Sequence, residues 1–247
     1  MATDLTSASG PRPGGRLTRP GLKASYFPNL SLAYHLHALP ERDLIYVKNP
    51  KAACSTVLLW LHRLHTGDHG FSPDNVHEEH AIPRPGEIGW RRVMEMLSGD
   101  AYRFTFVRNP LDRLESSYRD KIVNSEGWRE KIQATLGGPV DPGAPVTFDQ
   151  FLGALEQQDP VSEMDPHWRP QHVNLMHPLV RFDRVGHVES FDRDLETIRG
   201  EAALPEVPLE VRNVSRTKEW DSVYAGRLDR VRRVEAIYAT DFELYGY

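Results

Sequence analysis

The sequence has a single cysteine, Cys54, among its 247 residues. An intramolecular disulfide is thereby excluded, and the chain reads as one suited to a reducing cytoplasm. No apolar run is long enough to span a bilayer, and no apolar stretch near the N-terminus has the form of a signal peptide. Positive charge is not in excess: 30 Lys and Arg stand against 35 Asp and Glu, for a net charge of −5. Nucleic-acid binding by bulk electrostatics is excluded, and any basic site must be local. No internal repeat is visible. Glycine is missing from NPKAACST, the polar turn after the first clear apolar run, which excludes a Walker A loop.

What is present is ordinary for a soluble globular protein, at 39% hydrophobic and 26% charged. The length suffices for one sizeable α/β domain. Residues 1–24, rich in Gly, Pro, Ser and Thr, are expected to form a disordered basic tail, leaving 25–247 as a single domain. The tail is Arg-rich and acid-poor, as transit peptides are, but its Pro and Gly oppose an amphipathic helix. Tyr26 to Leu39 is expected to pack on the domain through Tyr26, Phe27, Leu30, Leu32 and Tyr34.

The informative stretch is YRFTFVRNPLDRLESSYRDK, Tyr102 to Lys121. Tyr102 to Val107 has strand composition. Asn109 is a good N-cap, Pro110 fits the first helical position, and Asp112 places negative charge in the first turn. Leu111, Leu114, Tyr118 and Ile122 recur at helical spacing. A strand running into a helix N-terminus is an anion site, because free N–H groups and the helix dipole point at the ligand. Arg108 at that mouth can grip a phosphate bidentately, and Ser116 offers a hydroxyl. By itself the segment is read equally well as a capped helix with a structural Arg–Asp pair.

A second strand–loop–helix precedes it in LIYVKNPKAACSTVLLWLHRLH, Leu44 to His65. Its loop carries Lys48, Lys51, Ser55 and Thr56. Lysine followed by hydroxyls at a helix start supplies the point charge and donors of a phosphate cradle. Cys54 reads as a small buried residue rather than a nucleophile.

Together, KNPKAACST and FVRNPLDRLESSYRDK resemble the 5′-phosphosulfate loop and the 3′-phosphate segment of family 2 carbohydrate sulfotransferases, the chondroitin and HNK-1 type. HWRPQHVNL, FDRVGHVESFDRDL and the ending YATDFELYGY resemble later blocks of that family, so the likeness runs from about Leu44 to Tyr247. The resemblance implies a three-layer P-loop-like fold and the donor 3′-phosphoadenosine 5′-phosphosulfate, with 3′-phosphoadenosine 5′-phosphate as product. It implies donor contacts from Lys48, Lys51, Ser55 and Thr56 and from the loop N–H groups around Ala52, Ala53 and Cys54. Lys51 would stabilise the leaving phosphate, and Arg108 and Ser116 would hold the 3′-phosphate. Arg216 and Lys218, in the late basic run of VRNVSRTK, take the role of a loop closing over the 3′-phosphate, or else form an exposed charged loop. Animal members of the family carry disulfides and a membrane anchor, neither of which this sequence shows.

Residues 66–89 form a long loop of the kind that carries function, flanked or filled by His65, His69, His77 and His80. In VHEEHAI, His77 and His80 stand one residue short of HExxH spacing with no third ligand indicated, so a metal is not expected. They are either solvated loop histidines or, given the resemblance, the general base for an acceptor hydroxyl. His80 is preferred over His77 because Ala81 and Ile82 place it beside a packed edge. In Pro160 to Pro178, the residues His167, Trp168 and Arg169 have the chemistry of a sugar site, the alternative being a packed loop anchored by Trp168.

Trp90 to Leu97 is expected to form a short helix, 122–145 to be irregular, and Thr147 or Asp149 to cap a helix through about Gln157. Leu179 to Val188 reads as a strand and Phe191 to about Ala203 as a helix begun by Ser190. A last helix, about Ala225 to Tyr238, has Arg227, Arg230, Arg232 and Arg233 on an expected solvated face. Strand–helix alternation implies a mostly parallel sheet flanked by helices, with ligand at the carboxyl ends of the strands. Sulfuryl transfer to a hydroxyl acceptor, carbohydrate or a glycosylated small molecule, follows from the resemblance. The alternatives are a non-catalytic nucleotide- or glycan-binding relative and a nucleotide-dependent kinase; the kinase would need Mg²⁺ and the missing Gly-Lys-Ser/Thr. No nucleic acid or membrane span is expected as a partner, and the acceptor and oligomeric state are not legible.

Overall fold

A computed structural model of the chain describes residues 17–141, 143–210 and 222–247. Four strands form one sheet in the order β1 (Leu36–Leu39), β2 (Leu44–Val47), β3 (Tyr102–Val107) and β4 (Arg184–His187). β1 runs antiparallel to β2, while β2–β3 and β3–β4 are parallel. The sheet is thus mostly parallel, as strand–helix alternation predicts. β1 is the addition: a tight left-handed turn at Asp43 folds it back, so part of the Tyr26–Leu39 stretch enters the sheet rather than merely packing on it.

Among the described residues the nine longer helices are α1 (Arg19–Tyr26), α2 (Cys54–Thr66), α3 (Trp90–Ser98), α4 (Pro110–Ser117), α5 (Glu126–Thr135), α6 (Phe148–Leu155), α7 (Phe191–Glu201), α8 (Leu228–Ile237) and α9 (Ala239–Tyr245). One face of the sheet presents Leu44, Tyr46, Phe104 and Phe106 to Val57, Leu58 and Leu61 of α2 and Leu195 and Ile198 of α7. The other presents Ile45, Val47 and Val107 to Val93, Met94 and Leu97 of α3 and to Leu22 of α1. Gly186 is required in β4: a Cβ there would lie 2.5 Å from the ring of Phe106, its partner in the register. A separate helical core joins Leu114 of α4, Ile132 of α5, Phe151 and Leu152 of α6 and Val234 of α8 with Trp168 of the intervening loop.

Several expectations are corrected. Ordered helix begins inside the expected tail, at Arg19, where Thr18 caps α1 by accepting from Gly21 N. Residues 126–135 are helical rather than irregular; Ile132 is the one fully buried apolar residue of α5, flanked by partly buried Trp128 and Leu136. β4 begins only at Arg184, because Leu179 and Val180 N–H groups are spent in a turn on Met176 O. The arginines of α8 are not simply solvated: Arg227 and Arg230 pair with Asp149, and Arg233 with Glu156, tying α8 to α6. No helix among the described residues is long and apolar enough to cross a membrane.

Candidate active site

β2 and β3 are parallel, so their two strand-to-helix junctions open at the same sheet edge. After β2 the chain passes Lys48, Asn49 and Pro50 and enters α2 with Lys51 at φ 67° and Ala53 at φ 56°. Both are left-handed without being glycine, at a cost of roughly 1–2 kcal/mol each. Such backbone turns N–H groups toward a common concavity, and strain of this kind is concentrated at ligand clamps. Ala53, the N-cap of α2, supplies no capping side chain. Ala52 is fully buried, Thr56 and Ser55 nearly so, and Cys54 is half-buried as a free thiol.

The two lysines of the loop differ. Lys51 Nζ lies 3.1 Å from Asp120 Oδ2, which also meets Lys121 at 3.3 Å. Burial would raise the Asp120 carboxyl, but the two lysines outweigh it and hold it below its usual value. Asp120 and Lys121 stand on a π-helical turn, Tyr118–Val123, that continues α4 and is the widened turn often found at functional sites. Lys48 is buried, with Nζ 3.2 Å from the centroid of the Tyr34 ring, and among the described residues it has no carboxylate partner. Burial pushes its ammonium down to about 8.

At the second junction Asn109 caps α4, its side chain accepting from Leu111 N at 2.9 Å, with Pro110 at the first position as expected. Arg108 is half-buried and reaches across to donate to Lys51 O at 3.5 Å, so the two junctions touch. Ser116 is nearly buried on α4. Arg113, unremarked in the sequence, is 2% exposed and donates to Pro50 O, Arg169 O and Pro166 O. It braces the first loop from behind with no carboxylate among these contacts.

Of the two candidate bases, His77 lies at the loop: its Nε2 is 2.9 Å from Ser55 Oγ and 3.9 Å from Cys54 Sγ. His80 packs edge-on against His37 of β1, ring centroids 5.5 Å apart, with Nδ1 buried and unpartnered among the described residues. Its place beside a packed edge is as expected, but that edge turns it from the loop serine that His77 meets. Burial, then the Lys48 charge, lowers both imidazoles, His77 to about 4. His35 is buried with Nδ1 2.9 Å from Lys48 O, and burial lowers it to about 3; His37 is driven well below its usual value. Among the described residues no group of three or more His, Cys, Asp or Glu could hold a metal ion.

Buried neutral histidines have a measurable consequence. Their folded-state values lie below the unfolded 6.5, so below pH 6.5 the unfolded chain binds more protons than the folded one. Stability should therefore be level above that pH and fall toward about 3, by about 1.4 kcal/mol per pH unit for each of His35 and His37 once the unfolded form is charged. Urea denaturation between pH 4 and 8 measures it; substituting His35→Phe should flatten the slope.

The expected sugar contacts are corrected in part. Trp168 is 1% exposed and packs edge-on against Trp128 and Phe151; Arg169 is fully buried, donating to Tyr26 O and Val161 O. Both pack as structural residues: the Trp168 indole N–H donates to Gln158, and Arg169 Nη1 and Nη2 donate to backbone carbonyls, its buried Nε having no partner among the described residues. His167 remains half-buried beside the loop, its Nδ1 2.6 Å from Asp165; burial lowers it against the pull of Asp165, and Lys121 and Lys51 lower it further. Arg216 and Lys218 lie outside the described residues.

Two strand-to-helix junctions on parallel strands, with Arg108 donating to Lys51 O, have the geometry of an anion site in an α/β protein. The comparisons make it specific. The family model described as the sulfotransferase family matches residues 34–247, and the chain belongs to that family. Carbohydrate sulfotransferase 14 of Mus musculus is 33% identical over 122 residues, covering 47% of this chain and 31% of its own length. The protein of that name from Danio rerio is 31% identical over 229 residues, covering 70% and 61%. Carbohydrate sulfotransferase 12 of Mus musculus is 25% identical over 260 residues, covering 89% and 61%. The chain thus spans between about a third and three-fifths of these curated relatives. No solved structure matches it significantly.

Proposed function

We propose that the protein transfers a sulfuryl group from 3′-phosphoadenosine 5′-phosphosulfate to a carbohydrate hydroxyl. The observation that carries this reading is the contact of the two junctions at one sheet edge, with Arg108 Nη1 on Lys51 O. A donor with anionic groups at both the 3′ and 5′ positions of its ribose needs two such grips side by side. The residues present fit it: a strained loop whose helix cap supplies no side chain, a buried Lys48 with no carboxylate partner among the described residues, and an arginine at a capped helix mouth. The relatives' names support a carbohydrate acceptor.

When bound, the donor supplies the sulfuryl group and a leaving phosphate. Lys51, released from Asp120, places positive charge where the leaving oxygen becomes anionic, with Ser55, Thr56 and the loop N–H groups as further donors. Lys48 adds a second, desolvated cation whose charged form an arriving anion would stabilise. Arg108 and Ser116 hold the 3′-phosphate. His77, neutral and facing the loop, takes the acceptor proton on Nε2 in place of its contact with Ser55.

Calorimetric binding of adenosine 3′,5′-bisphosphate, with adenosine 5′-monophosphate and Mg-ATP as controls, tests the reading. The bisphosphate should bind most tightly, and Arg108→Ala should weaken it by about 10- to 100-fold, the worth of a lost charge-assisted pair. Preference for Mg-ATP, or no dependence on the 3′-phosphate, would overturn it.

A further inference from the structure

The ladder between β2 and β3 runs only as far as Tyr46 opposite Phe104. Thr105 Oγ1 donates to Val47 O at 2.7 Å, and beyond that point two side-chain amides fill the split. Gln171 Oε1 accepts from Arg108 N at 3.0 Å, and Gln171 Nε2 donates to Arg108 O at 2.8 Å. The carboxamide thus exchanges two hydrogen bonds with a single residue, as a hydrogen-bonded partner in an antiparallel ladder would. Asn49 Nδ2 donates to the same Gln171 Oε1 at 2.8 Å and to Phe106 O at 3.1 Å. Asn174 Nδ2 reaches Asn49 Oδ1 at 3.4 Å, and Gln171 N donates to the fully buried Asp241. Asn49 and Gln171 are themselves fully buried.

From this arrangement we infer that Gln171, through Asn49, is a positioning residue that fixes Arg108 relative to the Lys51 loop and so sets selectivity for a ligand with phosphate at both its 3′ and 5′ positions. Asn49 lies two residues before Lys51, so one carboxamide oxygen ties the backbone N–H of Arg108 to a side chain of the first loop. Arg108 leaves the sheet where its own ladder has ended, and its backbone N–H and C=O are both held by the Gln171 carboxamide. A guanidinium grips a phosphate bidentately only when its origin is fixed, so loss of the clamp acts on the 3′-phosphate contact first.

The inference rests on the donor reading above, and its test separates the two. Gln171→Leu removes both bonds at similar size. Gln171→Glu keeps the shared acceptor oxygen and loses the donor to Arg108 O. Affinities for adenosine 3′,5′-bisphosphate and adenosine 5′-monophosphate are measured for each variant, alone and combined with Arg108→Ala. Gln171→Leu should weaken the bisphosphate by about tenfold, as for lost buried hydrogen bonds, with little change for the monophosphate. Gln171→Glu should fall between wild type and Gln171→Leu, and carries the test if the leucine variant does not fold. In the Arg108→Ala background either change should cost little more, because the effect passes through Arg108. If the wild-type protein shows no 3′-phosphate preference, the donor reading falls and this inference with it. If wild type shows the preference and a folded variant keeps it undiminished, or loses both ligands equally, Gln171 is structural only and the inference alone is overturned.

Discussion

Lys51→Ala should lower turnover by about 10²–10³, the scale for removing one preorganised donor from a developing oxyanion, while leaving the fold intact. The side chain is partly exposed and pairs with Asp120, itself about half exposed, so little stability is at stake. Its backbone already occupies the left-handed region, where alanine has the same Cβ and pays the same strain. Donor affinity should fall much less than turnover, because the charge on the leaving oxygen is fully developed only in the transition state. The check is sulfate transfer from labelled donor with a panel of oligosaccharides, alongside binding of the bisphosphate. Unchanged turnover in Lys51→Ala would reassign the leaving-group role, and Lys48 would be the residue to replace next. Asp120→Asn offers the opposite sign at the same site: it frees Lys51 from its carboxylate and should tighten bisphosphate binding.

The second large effect is expected at His77. His77→Ala should reduce turnover by about 10²–10⁴, the range for a general base, whereas His80→Ala should cost less than about tenfold. The distinction is one of placement, since His77 Nε2 meets the loop serine while His80 packs on His37. The pH profile gives an independent sign. A base held near 4 in the free protein stays unprotonated through neutrality, so the acidic limb of the rate should lie well below 6.5. Bound donor adds negative charge, which favours the imidazolium, and the limb should move upward in the donor complex. His77→Ala should abolish that limb along with the rate. A crippled His80→Ala beside a near-normal His77→Ala would return the role to His80, the residue first preferred from the sequence.

Chemistry written in consecutive residues was legible from the start. β2 lies at Leu44–Val47 and β3 at Tyr102–Val107, as composition indicated, and Asn109 and Pro110 begin α4 in the positions their backbone preferences dictate. The missed elements lacked such a local signature. Helix α5 buries one apolar residue fully and gave no clear stripe. Two residues of the expected sugar site follow its alternative, a packed loop, for one cause: Trp168 and Arg169 have the side chains of a binding site, and only burial shows the Trp168 indole N–H on Gln158 and Arg169 Nη1 and Nη2 on Tyr26 O and Val161 O. Gln171 and Arg113 were passed over for the opposite reason, since an amide and an arginine announce nothing until their backbone partners are known.

The sequence by itself determined the class of protein. Two strand-to-helix junctions carrying Lys51 and Arg108 are local features, fixed by φ/ψ preference, capping and residue type within about twenty residues of chain. Only the tertiary structure decided how those junctions work together. The contact of Arg108 with Lys51, the contact of His77 with Ser55 that sets it apart from His80, the ion pair of Lys51 with Asp120 and the amide clamp at Gln171 join residues 22 to 122 positions apart. Such contacts are set by sheet register and burial, and neither is written in any one segment.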